Sequence, residues 1–275
     1  MRERTVYDLA ARWRFNAASH AMENVPMSTP FSPDAASAAL LAPTGRLRAS
    51  INLGNPILAG TDAATGAPRG VSVDLAHALA ERLGVPVDLV AFPAATKSVD
   101  AVTGGVADIG FFAIDPLRGA EIAFTEAYIL IEGAYLVRDD SPCRTNDDVD
   151  RPGTTVVVGK GSAYDLFLSR ELKHAGFVRV PGAAEVVETL RAGGADVAGG
   201  IRQVLVEVAQ RTPGLRVLPG RFMVIRQAMG LARARGPVAE AALRAFVEHV
   251  KASGFVAEAM ARHAVAGATV DPAAD

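Results

Sequence analysis

Short apolar runs alternate with amphipathic stretches along most of the chain, and this alternation predicts an α/β fold with largely parallel strands. In the first unit of this kind, three segments with the character of strands enclose two with helical spacing. In chain order these segments are RLRASINL, VSVDLAHALAERLG, VPVDLVAF, TKSVDAVTGG and VADIGFFAI. The pattern predicts strand, helix, strand, helix and strand, and the first helix is expected to end at Gly84.

A second unit begins after Val137, where the composition turns polar in RDDSPCRTNDDVDRPG. Its predicted strands lie in TTVVVG, FVRVPG and ADVAGGI, and its predicted helices lie in SAYDLFLSRELKHAG, AAEVVETLRAGG and RQVLVEVAQRT. The chain then returns through RFMVIRQAMGLA to a long closing helical region. Two α/β units joined by two crossings predict two lobes with a hinge, which we place near Val137 and Ala228.

These patterns divide the chain into three parts. Residues 1–43 are predicted to form an N-terminal extension with a short helix, for which Ser32 is the expected cap and Pro33 the first helical position. Lobe 1 is predicted to contain residues 44–137 and 228–275, and lobe 2 to contain residues 138–227.

Composition and charge narrow the classes of function. The chain has 275 residues, of which 50% are hydrophobic, so it can bury a large core. With 28 basic and 30 acidic residues and a formal net charge of −2, nothing favours nucleic acid or an anionic membrane as a partner. The single cysteine, Cys143, excludes an internal disulfide and a cysteine-rich metal site, and we predict neither a metal nor a cofactor.

Targeting signals are absent from the sequence as it stands. Residues 1–30 lack the apolar core of a secretory leader, and no segment reaches about 18 uninterrupted apolar residues. The sequence therefore predicts a cytoplasmic chain that does not insert into a membrane. Met22 and Met27 are alternative starts, and with a wrong start the predicted compartment becomes the periplasm.

A polar group of residues follows the predicted strand VADIGFF. Asp115, Pro116 and Arg118 stand where the chain leaves a buried strand, and binding groups tend to lie at strand ends. The guanidinium of arginine is a planar fork that matches a carboxylate with two hydrogen bonds. A ligand carboxylate is thus one candidate partner for Arg118, and a salt bridge to Glu121 or Asp115 is the alternative.

Four segments resemble bacterial extracellular solute-binding proteins of the polar amino-acid class in order and spacing: GRLRASINLGNP, GVSVDLAHALAERLG, ADIGFFAIDPLRGAEIAFTEAY and VVVGKGSAYD. The resemblance covers about residues 44–265. It implies a two-lobed type II periplasmic-binding-protein-like fold, a small-molecule ligand and an ABC permease as partner. We also expect the protein to be a monomer. In the signature that AIDPLRGAEIAFTEAY resembles, the arginine clamps the ligand carboxylate, and the resemblance gives this role to Arg118.

The chain departs from the family pattern at positions that bind the amino group of a ligand. Residues 110–113 are Gly, Phe, Phe and Ala, where the family usually places small hydroxyl residues. Asn52 stands where many members carry an aspartate for the ligand ammonium, and Ile201 stands at the matching acidic position of the second lobe. A buried ammonium without a carboxylate is strongly disfavoured, so an ordinary α-amino acid is predicted to be a poor ligand.

Further candidates for the ligand site are basic, amidic or aromatic, or belong to the glycine turn GKGSAYD. They are Asn52, Asn55, Lys97, Phe111, Ala113, Tyr128, Lys160, Ser162 and Ala163. The glycine turn lies between a strand and a helix, where free backbone amides favour an anion. Lys97 has the alternative of a solvated surface lysine, and the two aromatic residues have the alternative of a place in the core.

Two functions follow as hypotheses. The first is a solute-binding protein that recognises a small organic carboxylate between its lobes, for ABC-type uptake and without catalysis. The second is an intracellular lyase on the same fold, similar to cyclohexadienyl or chorismate dehydratases. In the second, Glu132 in the apolar run YILIEGAYLV would be a buried general acid; its alternative is a pairing with a basic side chain.

Overall fold

The computed structural model describes residues 6–7 and 31–273. The strands are β1 (Val6–Tyr7), β2 (Leu47–Asn52), β3 (Gly60–Thr61), β4 (Pro68–Arg69), β5 (Val87–Phe92), β6 (Ile109–Ala113), β7 (Ile122–Arg138), β8 (Thr155–Gly159), β9 (Gly176–Val180), β10 (Val197–Ile201), β11 (Leu215–Val217), β12 (Met223–Ala232) and β13 (Ala268–Val270). The helices are α1 (Ala35–Leu41), α2 (Val71–Leu83), α3 (Ala95–Thr103), α4 (Ala163–Glu171), α5 (Ala183–Arg191), α6 (Arg202–Arg211), α7 (Pro237–Ala252) and α8 (Phe255–Arg262).

Two helix ends test the local signals in the sequence. Gly84 ends α2 in the left-handed conformation at φ 68°, as predicted, because glycine has no Cβ to oppose it. The predicted start of the first helix was wrong. Asp34 caps α1, and its carboxylate accepts the amide hydrogen of Ser37 at 2.7 Å, so the helix begins after Asp34 rather than after Ser32.

A single sheet carries most of the described strands. Its order is β1-β5-β2-β6-β12-β7-β10-β8-β9, and β11 and β13 also pair with β7. At one end of the order, β2 is parallel to both β5 and β6, and at the other end β8 is parallel to both β10 and β9. We call the first group with its helices lobe 1 and the second group with its helices lobe 2.

Two long antiparallel strands join the lobes. The 17-residue strand β7 pairs with β12 over much of its length and with β10 of lobe 2 from Gly133 to Val137. Strand β12 also pairs with β6 of lobe 1 from Gln227 to Gly230, and its register with β7 shifts on either side of Ala228. The predicted lobe boundaries at Val137 and Ala228 stay a prediction, but the irregularity lies at the second of them.

Each lobe has its own core, and the core of lobe 2 explains an uninterrupted apolar run in the sequence. In β8 the side chain of Val157 packs on one face of the sheet with Val186 and Leu190, while Val156 and Val158 pack on the other face with Leu168. A strand whose two faces are both covered can be apolar at every position. The run TVVV therefore fits a central parallel strand.

Candidate functional site

A cavity of about 310 Å³ lies between the two lobes. Its walls come from the chain that follows the carboxyl ends of β2, β5 and β6 in lobe 1 and of β8, β9 and β10 in lobe 2, with Ile225 and Gln227 of β12 between them. Carboxyl ends of parallel strands are the usual location of ligand sites in open α/β sheets.

Arg118 is a buried cation at the lobe 1 wall. It begins a short 3-10 turn after β6, and only 9% of it is exposed. Its Nη1 donates to the carbonyl of Ala113 at 3.1 Å, and its Nη2 donates to the carbonyl of Gly161 in lobe 2 at 2.9 Å. Burial lowers the pKa of Arg118, which nearby Asp115 opposes, but an arginine stays protonated in a protein.

Asp115 does not neutralise Arg118 directly. Its carboxylate is 4% exposed, accepts the amide hydrogen of Leu117 at 2.9 Å and forms an ion pair with Arg170 of α4 at 2.9 Å. Among the described residues, Arg118 has no ion pair with Asp115 or with Glu121. The guanidinium that lines the cavity therefore keeps a positive charge that no carboxylate of residues 31–273 pairs with.

The lobes touch each other on both sides of this arginine. Arg118 is hydrogen-bonded to Gly161, and Asp115 forms an ion pair with Arg170. Gly161 also lies so close to Thr96 that a Cβ on the glycine would collide with the threonine methyl group. Ala163 and Tyr164 of lobe 2 also pack against the core of lobe 1. These contacts define a closed arrangement.

The contact between Asp115 and Arg170 gives a first test. Asp115→Asn keeps the bond to Leu117 but removes the charge, and Arg170→Gln removes the partner. Either change should shift the unliganded protein toward an open arrangement about tenfold, because a charged hydrogen bond contributes about 1.5–3 kcal/mol. Small-angle scattering should then show a larger radius of gyration than in wild type. Arg191→Gln, which breaks the exposed pair with Glu188 within α5, is the matched control. If all variants have the radius of gyration of wild type, the Asp115–Arg170 pair does not hold the lobes closed.

The glycine turn before α4 supplies backbone donors. Ser162 caps the helix by accepting the amide hydrogen of Asp165 at 3.1 Å, and the Asp165 carboxylate accepts the amide hydrogen of Gly161 at 2.8 Å. The amides of Ala163 and Tyr164 have no acceptor within the described ranges, and both residues line the cavity. The first turn of α4 thus offers two free N–H groups to a ligand. Gly161, by contrast, already has an acceptor in Asp165.

Eight of the predicted residues line the cavity, and two do not. Those at its wall are Asn52, Asn55, Phe111, Ala113, Arg118, Lys160, Ser162 and Ala163. Lys97 lies exposed on α3 and is not part of the wall. Tyr128 was wrongly placed at the ligand, because it is fully buried in the lobe 1 core with its ring edge-on to Phe111 at 6.3 Å.

Glu132 is neither deeply buried nor part of the cavity wall. Its side chain is 34% exposed and forms ion pairs with Arg202 at 2.9 Å and Arg221 at 2.7 Å. The prediction of burial was wrong because neighbours in a strand face opposite sides of the sheet. Ile131 and Gly133 are buried, while Glu132 lies where the two arginines reach it.

Two polar side chains of the described cavity wall were missed in the sequence. Gln227 of β12 is 5% exposed, and its side-chain amide has no hydrogen-bond partner in the part of the chain that the structure describes. The signal was a polar residue in the apolar segment VIRQAMGL. Tyr164 also lines the wall, and burial raises the pKa of its hydroxyl. No Asp or Glu is among the described residues of the wall.

The sequence profile of bacterial extracellular solute-binding proteins, family 3, matches residues 56–265. The chain belongs to this family. This confirms the resemblance on which Arg118 was singled out. A search of curated proteins found no significant match.

Solved structures of solute-binding proteins share the architecture. A mutant of ArgBP from T. maritima superposes with a TM-score of 0.69 at 21% identity, covering 82% of this chain and 98% of that chain. A putative binding component of an ABC transporter from Wolinella succinogenes, complexed with lysine, gives 0.68 at 23% identity, with coverage of 79% and 95%. The ancestral amino acid-binding protein AncCDT-1, a precursor of cyclohexadienyl dehydratase, gives 0.68 at 21% identity, with coverage of 82% and 98%.

These likenesses confirm the type II periplasmic-binding-protein fold for this member of the family. The family is described as extracellular, so the predicted cytoplasmic location finds no support in it. None of the described helices is both long and apolar enough to cross a membrane.

Proposed function

We propose that this family member binds a small organic carboxylate between its lobes and delivers it, as a periplasmic monomer, to an ABC-type permease. The observation that carries the proposal is that Arg118 is buried at the wall of a cavity, and that no Asp or Glu of the described residues lines this wall. A buried charge is costly unless an opposite charge and hydrogen bonds compensate it. A ligand carboxylate would compensate Arg118 with paired charge-assisted hydrogen bonds.

The opposite wall supports an anion as well. Lys160 and the free amides of Ala163 and Tyr164 belong to lobe 2, and Arg118 belongs to lobe 1. A carboxylate that contacted both walls would bind the closed arrangement more strongly than the open one. Such a difference in contacts is what closes a hinged protein around its ligand.

The ligands of the structural neighbours do not transfer to this chain. The Wolinella succinogenes protein is complexed with lysine, and a variant of the T. maritima protein is arginine-bound. Both ligands carry cationic groups. In this chain Asn52 and Ile201 line the cavity where acidic residues for an ammonium were expected, and the wall carries two basic residues. Electrostatics therefore favour an acid without an amino group.

A thermal-shift screen over small carboxylic acids, followed by mass spectrometry of the incubated acids, tests this proposal. We expect at least one acid to raise the melting temperature in a concentration-dependent way and to be recovered unchanged. A screen in which no acid stabilises the protein would refute the carboxylate proposal. Recovery of a converted product would favour the lyase.

Glu132, the acid that the lyase hypothesis requires, is paired with two arginines and does not line the cavity, which favours the receptor. We expect neither wild type nor Glu132→Gln to convert prephenate, arogenate or chorismate when product absorbance is followed. Glu132→Gln should also leave the affinity for a stabilising acid within about twofold, because exposed ion pairs contribute little. Wild-type turnover that disappears in Glu132→Gln would overturn the receptor proposal.

A further inference from the structure

Gln227 is a polar side chain of the cavity wall that forms no hydrogen bond with the described residues. Only 5% of it is exposed, it lies at the cavity wall, and no hydrogen bond to its side chain is present within the described residues. A primary amide has two N–H donors and a carbonyl oxygen with two lone pairs. The Gln227 amide keeps accessible surface and lines the cavity, so it is placed to bond a ligand there.

The sheet register places Gln227 next to the proposed carboxylate site. Gln227 lies directly opposite Ala113 in the pairing of β12 with β6. The carbonyl of Ala113 accepts the hydrogen bond from Nη1 of Arg118 at 3.1 Å. Arg118 and Gln227 line the same cavity, so a small acid held by Arg118 can also contact the Gln227 amide.

A second amide, Asn52, lies on the same cavity wall. Its Oδ1 accepts the amide hydrogen of Gly54 at 2.9 Å, which leaves its NH₂ group free to donate. Gln227 can both donate and accept. Neither side chain carries a charge, and no described carboxylate lines the wall. Amides of this kind can bond a neutral hydroxyl or oxo oxygen, but they cannot neutralise the charge of an ammonium.

We propose that Gln227 determines specificity by binding a hydroxyl or oxo oxygen on the carbon next to the ligand carboxylate. This inference rests on the proposed carboxylate function and names its ligand class, the 2-hydroxy and 2-oxo acids. A hydroxyl can donate to the carbonyl of Gln227 or accept from its NH₂, whereas an oxo group can only accept from the NH₂. Gln227 also lies on the strand that joins the lobes, where the register shifts, so its ligand contact adjoins the hinge.

The test compares acids of one carbon skeleton that carry hydroxyl, oxo or hydrogen at carbon 2. Wild type should bind the hydroxy or oxo acid at least about tenfold more tightly than the unsubstituted acid, because an unmade bond leaves Gln227 unpaired. Gln227→Met keeps the side-chain length but cannot form the bond. In calorimetric titrations it should lose this preference and bind the unsubstituted acid within about threefold of wild type.

Two further variants complete the test. Gln227→Glu places a negative charge beside the carboxylate and should weaken all three acids by at least about tenfold. Gln210→Met, at an exposed glutamine of α6, should retain the wild-type preference. If acids bind but the preference survives in Gln227→Met, or wild type prefers the unsubstituted acid, the role of Gln227 is refuted while the carboxylate proposal stands. If no acid binds wild type, both fail.

Discussion

Arg118→Ala is expected to abolish stabilisation by carboxylic acids, with affinity for the tightest acid falling by at least about 100-fold. Hydrogen bonds to a charged group contribute about 1.5–3 kcal/mol each, and a bidentate pair makes two of them. Arg118→Lys should restore little of the affinity, because an ammonium cannot reproduce the planar fork. Calorimetry with the acid from the screen measures the loss.

The control separates a binding role from a structural one. Arg69→Ala removes an exposed arginine of lobe 1 and should leave the affinity unchanged. The unliganded melting temperature of Arg118→Ala should stay close to that of wild type, since its two protein bonds are to carbonyls at the cavity edge. Undiminished acid binding in Arg118→Ala would show that the clamp has been misassigned.

Each standard α-amino acid is expected to bind at least about 100-fold more weakly than the acid of the same skeleton without its amino group. Moving an ammonium out of water costs several kcal/mol unless a carboxylate compensates it. Asn52 and Ile201 cannot do so, and Arg118 and Lys160 repel it. Competition titrations over paired amino acids and deaminated acids measure the ratio.

A substitution that supplies the missing carboxylate should narrow this difference. Asn52→Asp is expected to strengthen amino-acid binding and weaken acid binding, while Asn146→Asp, away from the cavity wall, should do neither. Micromolar binding of any common amino acid to wild type would mean that the chemistry of the pocket has been misread.

The fold and the place of Arg118 at the cavity could be predicted because both depend on local patterns, while the role of Arg118 as a clamp stays a prediction. Apolar periodicity identified the strands and helices, and the order AIDPLRGAEIAFTEAY identified Arg118. Gln227 could not be placed in the same way, since its position at the cavity depends on the pairing of β12 with β6 across more than a hundred residues. The residues around Gln227 in the sequence do not indicate which distant strand will pair with it.

The wrong predictions share a cause. Apolar neighbours suggested that Glu132 is buried, but they do not tell which face of β7 it occupies or that Arg202 and Arg221 reach that face. Tyr128 lies in the same strand, and only the folded structure shows that its side chain packs in the lobe 1 core rather than at the cavity. A sequence pattern gives the spacing of side chains but not what the opposite element presents.

A crystal structure with the tightest-binding acid tests the central claim most directly. The account predicts the acid in the cavity between closed lobes, with both carboxylate oxygens within hydrogen-bond distance of the Arg118 guanidinium. An acid bound elsewhere, or held in the cavity with its carboxylate away from Arg118, would contradict it.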